Sequence, residues 1–134
     1  MSLEANKKTV QRFNDECIGK GVSFEELLSV NFINRTAPPG AANGPESIQS
    51  FFNDNIRPGL SNLHVEIHDQ IAEGDKVVTR KTIHGVHTGS LMGVAPTGRS
   101  VSINVIDIVR LEDGKYVEHW GINNLKEVIA TLIS

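Results

Sequence analysis

Apolar residues recur at helical spacing up to about residue 56, and from residue 60 onward they alternate with polar ones. The chain therefore divides into a helical front and a β-rich back. Over residues 4–19, Val10, Phe13, Cys17 and Ile18 form one stripe while Lys7, Lys8, Gln11 and Arg12 fall elsewhere, which predicts an amphipathic helix ended by Gly19 or Gly21. Ser23 followed by Glu26 has the spacing of a capping box, so a short second helix is expected, with Leu27 and Leu28 on its buried side. Residues 36–44 contain Pro38, Pro39 and Gly40 and read as loop. Gly44-Pro45-Glu46 then starts a third helix, striped by Ile48, Phe51, Phe52 and Ile56 and stopped at Pro58-Gly59.

The alternating half predicts four strands at 63–72, 75–86, 100–111 and 115–122, running as an antiparallel meander. Gly74 and the Asp113-Gly114 pair supply the tight turns of the first and last connections. The middle connection, 87–98, is long and rich in Gly and Pro, the kind that carries function more often than a minimal turn does. A short helix over 125–132, capped by Asn123 or Asn124, completes the chain. Helices on one face of a strongly bent antiparallel sheet make an α+β domain with a cone between the layers, and that cone is the natural ligand site. At 134 residues, one domain spanning 1–134 is expected.

Within the third strand, Val101, Ile103, Val105, Asp107, Val109 and Leu111 share one face, where Asp107 is the only charge. A carboxylate among apolar neighbours has to be hydrogen-bonded, protonated or open to a cavity, and desolvation alone would raise its pKa toward neutrality, where acid/base catalysis works best. A purely structural hydrogen bond is an equally good reading of Asp107. A two-residue turn pairing 112 with 115 would set Asp107 against Trp120, which would wall the pocket, with His119 on the other face. A three-residue loop would instead set Asp107 against His119, and the two could share a proton or a ligand group.

Composition narrows the function. Of the residues, 39% are hydrophobic and 22% charged, and the net charge is −3 without a basic cluster, so neither disorder nor a nucleic-acid partner is expected. The single Cys17 cannot form an internal disulfide, and the N-terminus has no apolar run of a signal or membrane segment, so a cytoplasmic protein is expected. His64 and His68 are four strand residues apart, about 13 Å, and His84 and His87 would face opposite ways, so no metal is expected. Phosphate-loop and nucleophilic-serine motifs are absent.

Three stretches carry a family resemblance: Gly85 to Arg99 with its His87-Thr88-Gly89 and Pro96-Thr97-Gly98-Arg99, then Ile106-Asp107-Ile108, then Glu112 to Trp120 ending in Glu118-His119-Trp120. Together with Gly44-Pro45-Glu46 and Glu73-Gly74-Asp75, they make the chain resemble the SnoaL-like polyketide cyclases of the nuclear-transport-factor-2-like superfamily over nearly its whole length. The resemblance implies a cone-shaped barrel and a cofactor-independent enzyme acting on a small apolar carbonyl compound. In that reaction, an intramolecular aldol condensation, Asp107 is the acid/base and His87 the donor to the developing oxyanion. It further implies ligand contacts from Trp120, His119, Arg35, Asn34, Arg80, Leu91 and Met92. Phe32 to Arg35 falls where the family ends its second helix, often with a His, so Arg35 could pair with Asp107 or bind a ligand carboxylate or ester. Ser61-Asn62-Leu63 and Asn123-Asn124 also depart from the family pattern. Other readings for the same cone are a non-catalytic small-molecule binder, a ketosteroid-isomerase-like isomerase and an epoxide-hydrolase-like hydrolase. Ile106 and Ile108 on the outer face predict a homodimer.

Overall fold

The computed structural model describes residues 2–133. Helix α1 (Leu3–Arg12) runs on without a break as a π-helix over Phe13–Ile18. A single turn, α2 (Phe24–Leu27), leads into strand β1 (Leu28–Asn34), and α3 (Pro45–Ser50) likewise continues as π-helix over Phe51–Ile56. The long strands β2 (Leu60–Glu73), β3 (Lys76–His87), β4 (Ser100–Glu112) and β5 (Lys115–Asn123) precede α4 (Leu125–Ile133).

The sheet has five strands in the order β1-β5-β4-β3-β2, with β1 parallel to β5 and the other pairs antiparallel. The expected meander is therefore β2 to β5, and β1 is an additional edge strand in a stretch read as the end of a helix. Its buried residues are Leu28 and Phe32 while Val30 and Asn31 are exposed, so the apolar positions recur every four residues and imitate a helix. The capping box also fails to form. Ser23 takes a left-handed backbone conformation (φ 68°) and its hydroxyl donates to Glu16 at 2.6 Å instead of capping α2.

The two tight turns are as expected. Glu73 pairs with Lys76 across Gly74-Asp75, and Glu112 pairs with Lys115 across Asp113-Gly114, where both φ values are positive (51° and 75°) as a type I′ turn needs. The register beyond that last turn is different from both expectations. A bulge between Arg110 and Leu111 shifts the ladder by one residue, so Asp107 faces Gly121, Val109 faces His119 and Ile108 faces Trp120. His119 therefore joins Asp107 on the inner face and Trp120 goes to the outer one.

Val10 from α1, Phe13, Cys17 and Ile18 from its π-helical continuation, Phe52 and Ile56 from the one that follows α3, and Val77, Ile83, Val101, Ile103, Val109 and Leu111 from the sheet make one core. Phe13 stacks on Tyr116 with ring centroids 4.3 Å apart, which ties helix to sheet. Burial pushes the Cys17 thiol up to about 12, so this residue packs as a small apolar side chain and is no nucleophile.

Candidate active site

A cavity of about 590 Å³ lies between the helices and the inner face of the sheet. Its walls are largely apolar, with Phe13, Ile18, Phe51, Phe52, Ile83 and Ile103 among them, and both π-helical stretches contribute to them. Its polar residues include Asp107, Lys81, His119 and Asn34.

Asp107 is only 5% exposed and its two oxygens are treated differently. Oδ2 lies 3.1 Å from Lys81 Nζ and 3.4 Å from His119 Nε2, whereas Oδ1 is buried without a hydrogen-bond partner. Burial by itself pushes this carboxyl up. The Lys81 ammonium and the His119 ring outweigh it and hold the group below its ordinary value. The expectation of a raised pKa is thus overturned, because alternation reveals the apolar face but not the cation two residues diagonally across it. Lys81 is itself buried, 4% exposed, and Nζ also donates to Asn14 Oδ1 at 2.7 Å.

His119 is held from behind. Its Nδ1 is 3.1 Å from Asn34 Oδ1, the same oxygen that accepts the Thr36 backbone N–H. That oxygen is an acceptor, so Nδ1 carries a hydrogen, and Nε2 donates to the Asp107 carboxylate when the ring is the imidazolium, with a hydrogen on both nitrogens. Gly121 makes this contact possible. A Cβ there would sit 2.8 Å from His119 Cε1, so only glycine opposite Asp107 lets the ring lean across. Tyr116 also borders the cavity, and burial, with the charge of Asp107 adding to it, pushes its phenol well above the ordinary value, so its hydroxyl can donate a hydrogen bond but not serve as a base.

The other residues expected at the site lie elsewhere. His87 is fully buried outside the cavity lining. Nδ1 accepts from Thr97 N at 3.3 Å and lies 2.9 Å from its hydroxyl, and Nε2 faces the Val94 carbonyl at 3.2 Å. It fastens the 88–98 loop, as does Gly89, where any Cβ would collide with the Pro58 carbonyl. Leu91 is buried against Gly59 and Met92 is half exposed, neither one bordering the cavity. Trp120 is on the outer face beneath Lys76, whose Nζ is 5.7 Å from the ring centroid. Arg35 pairs with Glu118 at 2.7 Å, not with Asp107, and Arg80 pairs with Asp69 at 2.7 Å on the outer face. The site thus brings together Asp107, His119 and Asn34 of the expected set and adds Lys81, Asn14, Tyr116 and Gly121.

Lys81 carried a signal of its own. It stands on the inner face of β3 between Thr79 and Ile83, as lone a charge there as Asp107 is on β4. Among the described residues, no group of three or more His, Cys, Asp or Glu is placed to hold a metal ion, and no helix is long and apolar enough to cross a membrane.

The fold is shared with known proteins. The family model for SnoaL-like polyketide cyclases matches residues 8–132, and the chain belongs to that family. Its relatives include the aklanonic acid methyl ester cyclase DnrD of Streptomyces peucetius, 26% identical over 123 residues that span 87% of this chain and 80% of the relative. TsrD from Streptomyces laurentii has the same fold, with a TM-score of 0.84 at 23% identity over 98% of this chain and 97% of its own. A SnoaL-like protein from Jannaschia Sp. CCS1 superposes with a TM-score of 0.79 at 27% identity, covering 96% of this chain and 92% of the other. The fold is accordingly that of the nuclear-transport-factor-2-like α+β barrels.

Proposed function

We propose that this protein is a cyclase that carries out a cofactor-independent intramolecular aldol condensation on a small, mostly apolar carbonyl substrate, with Asp107 as the acid/base. The observation that carries the reading is the unpartnered Oδ1 of a carboxylate bordering the cavity. A buried acceptor without a donor costs free energy, of order 1–3 kcal/mol, which a ligand hydrogen placed there would recover.

In the proposed reaction Oδ1 takes a proton from the carbon alpha to a carbonyl. The resulting enolate carbon attacks a second carbonyl within the same molecule, a C–C bond forms, and the new alkoxide takes up a proton. His119, with Nδ1 anchored on Asn34, supplies that proton from Nε2 as the imidazolium and recovers one from the protonated Asp107 at the end of the cycle, in the role the resemblance implied for His87. The apolar walls would hold the chain folded on itself, so that the two reacting carbons meet.

Aklanonic acid methyl ester, the compound in the name of the DnrD relative, is a suitable probe. The expected result is a cyclised aldol adduct of unchanged mass, formed without loss of water, with the wild type and about 10³-fold slower formation with Asp107→Asn. Equal rates in the two proteins would refute the role of Asp107.

One observation favours a second reading. The ion pair with Lys81 keeps the carboxyl acidic and so makes it a weaker base, which suits a protein that binds its ligand without converting it. On that reading the probe binds saturably to the wild type and is recovered unchanged.

A further inference from the structure

Asp107 is oriented by a residue that is not itself the proposed base. Lys81 Nζ sits between two acceptors, Asp107 Oδ2 at 3.1 Å and Asn14 Oδ1 at 2.7 Å, and Asn14 is in turn fixed by its own Nδ2 donating to the Val10 carbonyl at 2.8 Å. This chain of contacts runs from α1 through β3 to β4, and every member is buried. A lysine ammonium taken out of water is stable only with such partners, and each contact to it also settles the geometry of its partner. Since Lys81 and His119 both approach Oδ2, the carboxylate has one occupied oxygen and one free one.

We propose that Lys81 is the positioning residue of this site: anchored by Asn14, it holds Asp107 as an ionised carboxylate whose Oδ2 is engaged and whose Oδ1 remains for the ligand. The inference rests on the reading of Asp107 as the base. It adds a reason for the acid's state at rest. The titratable groups facing Asp107 are Lys81 from β3 and His119 and Tyr116 from β5. Of these, Lys81 makes the shortest contact, with Nζ 3.1 Å from Oδ2. When Oδ1 takes a proton, the negative charge moves to the enolate while Lys81 stays beside it. The cavity then never holds an unbalanced anion, and the step needs no counter-ion from solvent.

The test follows the Asp107 carboxyl carbon by NMR during an acid titration of ¹³C-labelled full-length protein, with the resonance assigned by its loss in Asp107→Asn. Asp107 of the wild type is expected to titrate below the exposed aspartates. In Lys81→Met its acid dissociation constant falls ten-fold or more, and in Asn14→Leu it falls by less. An Asp107 midpoint in folded Lys81→Met equal to that of the wild type would overturn the proposal. If Lys81→Met does not fold, the double variant Lys81→Met with Asp107→Asn decides. Recovery of the fold supports the pairing, and failure to fold assigns Lys81 to packing alone. In turnover, the acid limb of kcat/KM moves to higher pH in Lys81→Met, in step with the carboxyl. The titration needs no substrate, so failure of the aldol reading leaves its outcome intact, and an unshifted Asp107 leaves the aldol reading to be judged on turnover.

Discussion

The sheet carries a histidine–carboxylate contact on each of its faces, and the two have opposite surroundings. On the inner face His119 meets Asp107 at 3.4 Å among buried neighbours, with Lys81 alongside and one oxygen free. On the outer face His84 meets Glu66 at 2.9 Å, with His64 stacked on His84 at 5.0 Å and His68 within 3.9 Å of the same carboxylate. Both carboxyls are held below their ordinary values, but for different reasons. Glu66 is exposed, and a hydrogen bond from His84 is the main cause. For Asp107, burial opposes the shift and a buried cation has to overcome it. The residue types match, so chemistry is assigned here by burial, a cavity and an unsatisfied oxygen.

Breaking the inner pair is expected to have the largest effects. Asp107→Asn keeps the shape of the side chain and removes the base, with turnover falling about 10³-fold in a steady-state assay. Lys81→Met leaves a buried carboxylate without its cation and is expected to cost about 3 kcal/mol or more at neutral pH in denaturant unfolding. Gly121→Ala drives a methyl group into the His119 ring, with a cost of about 1–3 kcal/mol and loss of the His119–Asp107 contact visible in the imidazole NMR signals.

Acid should separate the two faces as well. The folded pKa of Asp107 lies below its ordinary value of 3.8, so its stabilising contribution is complete above pH 3.8 and is lost as the pH falls through the lower folded value. In wild type that loss appears in pH-dependent unfolding curves, and it is absent in Asp107→Asn. The smallest effect is expected from Glu66→Gln. An exposed pair contributes little, so turnover and thermal midpoint should match those of the wild type.

Much of this inner face was legible in the sequence, because strand alternation is a strict period-two signal. It placed Asp107 alone among Val105, Val109 and Leu111, and the same signal was available for Lys81. The partner of Asp107 was not legible. It depends on a bulge at Arg110/Leu111 that shifts β5 by one residue, and such bulges follow from the ladder as a whole. That one step sends Trp120 outward and His119 inward. Strand β1 escaped for the converse reason, since Leu28 and Phe32 give an edge strand the spacing of a helix. His87 was misread by its chemistry. Its imidazole is equally suited to catalysis and to closing a loop, and only the positions of Val94 and Thr97 tell the two apart.

The proposed role of Asp107 requires its Oδ1 to be the atom that meets the ligand. A crystal structure of Asp107→Asn with aklanonic acid methyl ester bound tests this directly. The ligand is expected inside the cone with its acidic carbon about 3–3.5 Å from the side-chain atom that replaces Oδ1. A ligand seated outside the cavity, or inside it with its acidic carbon against another residue, would contradict it.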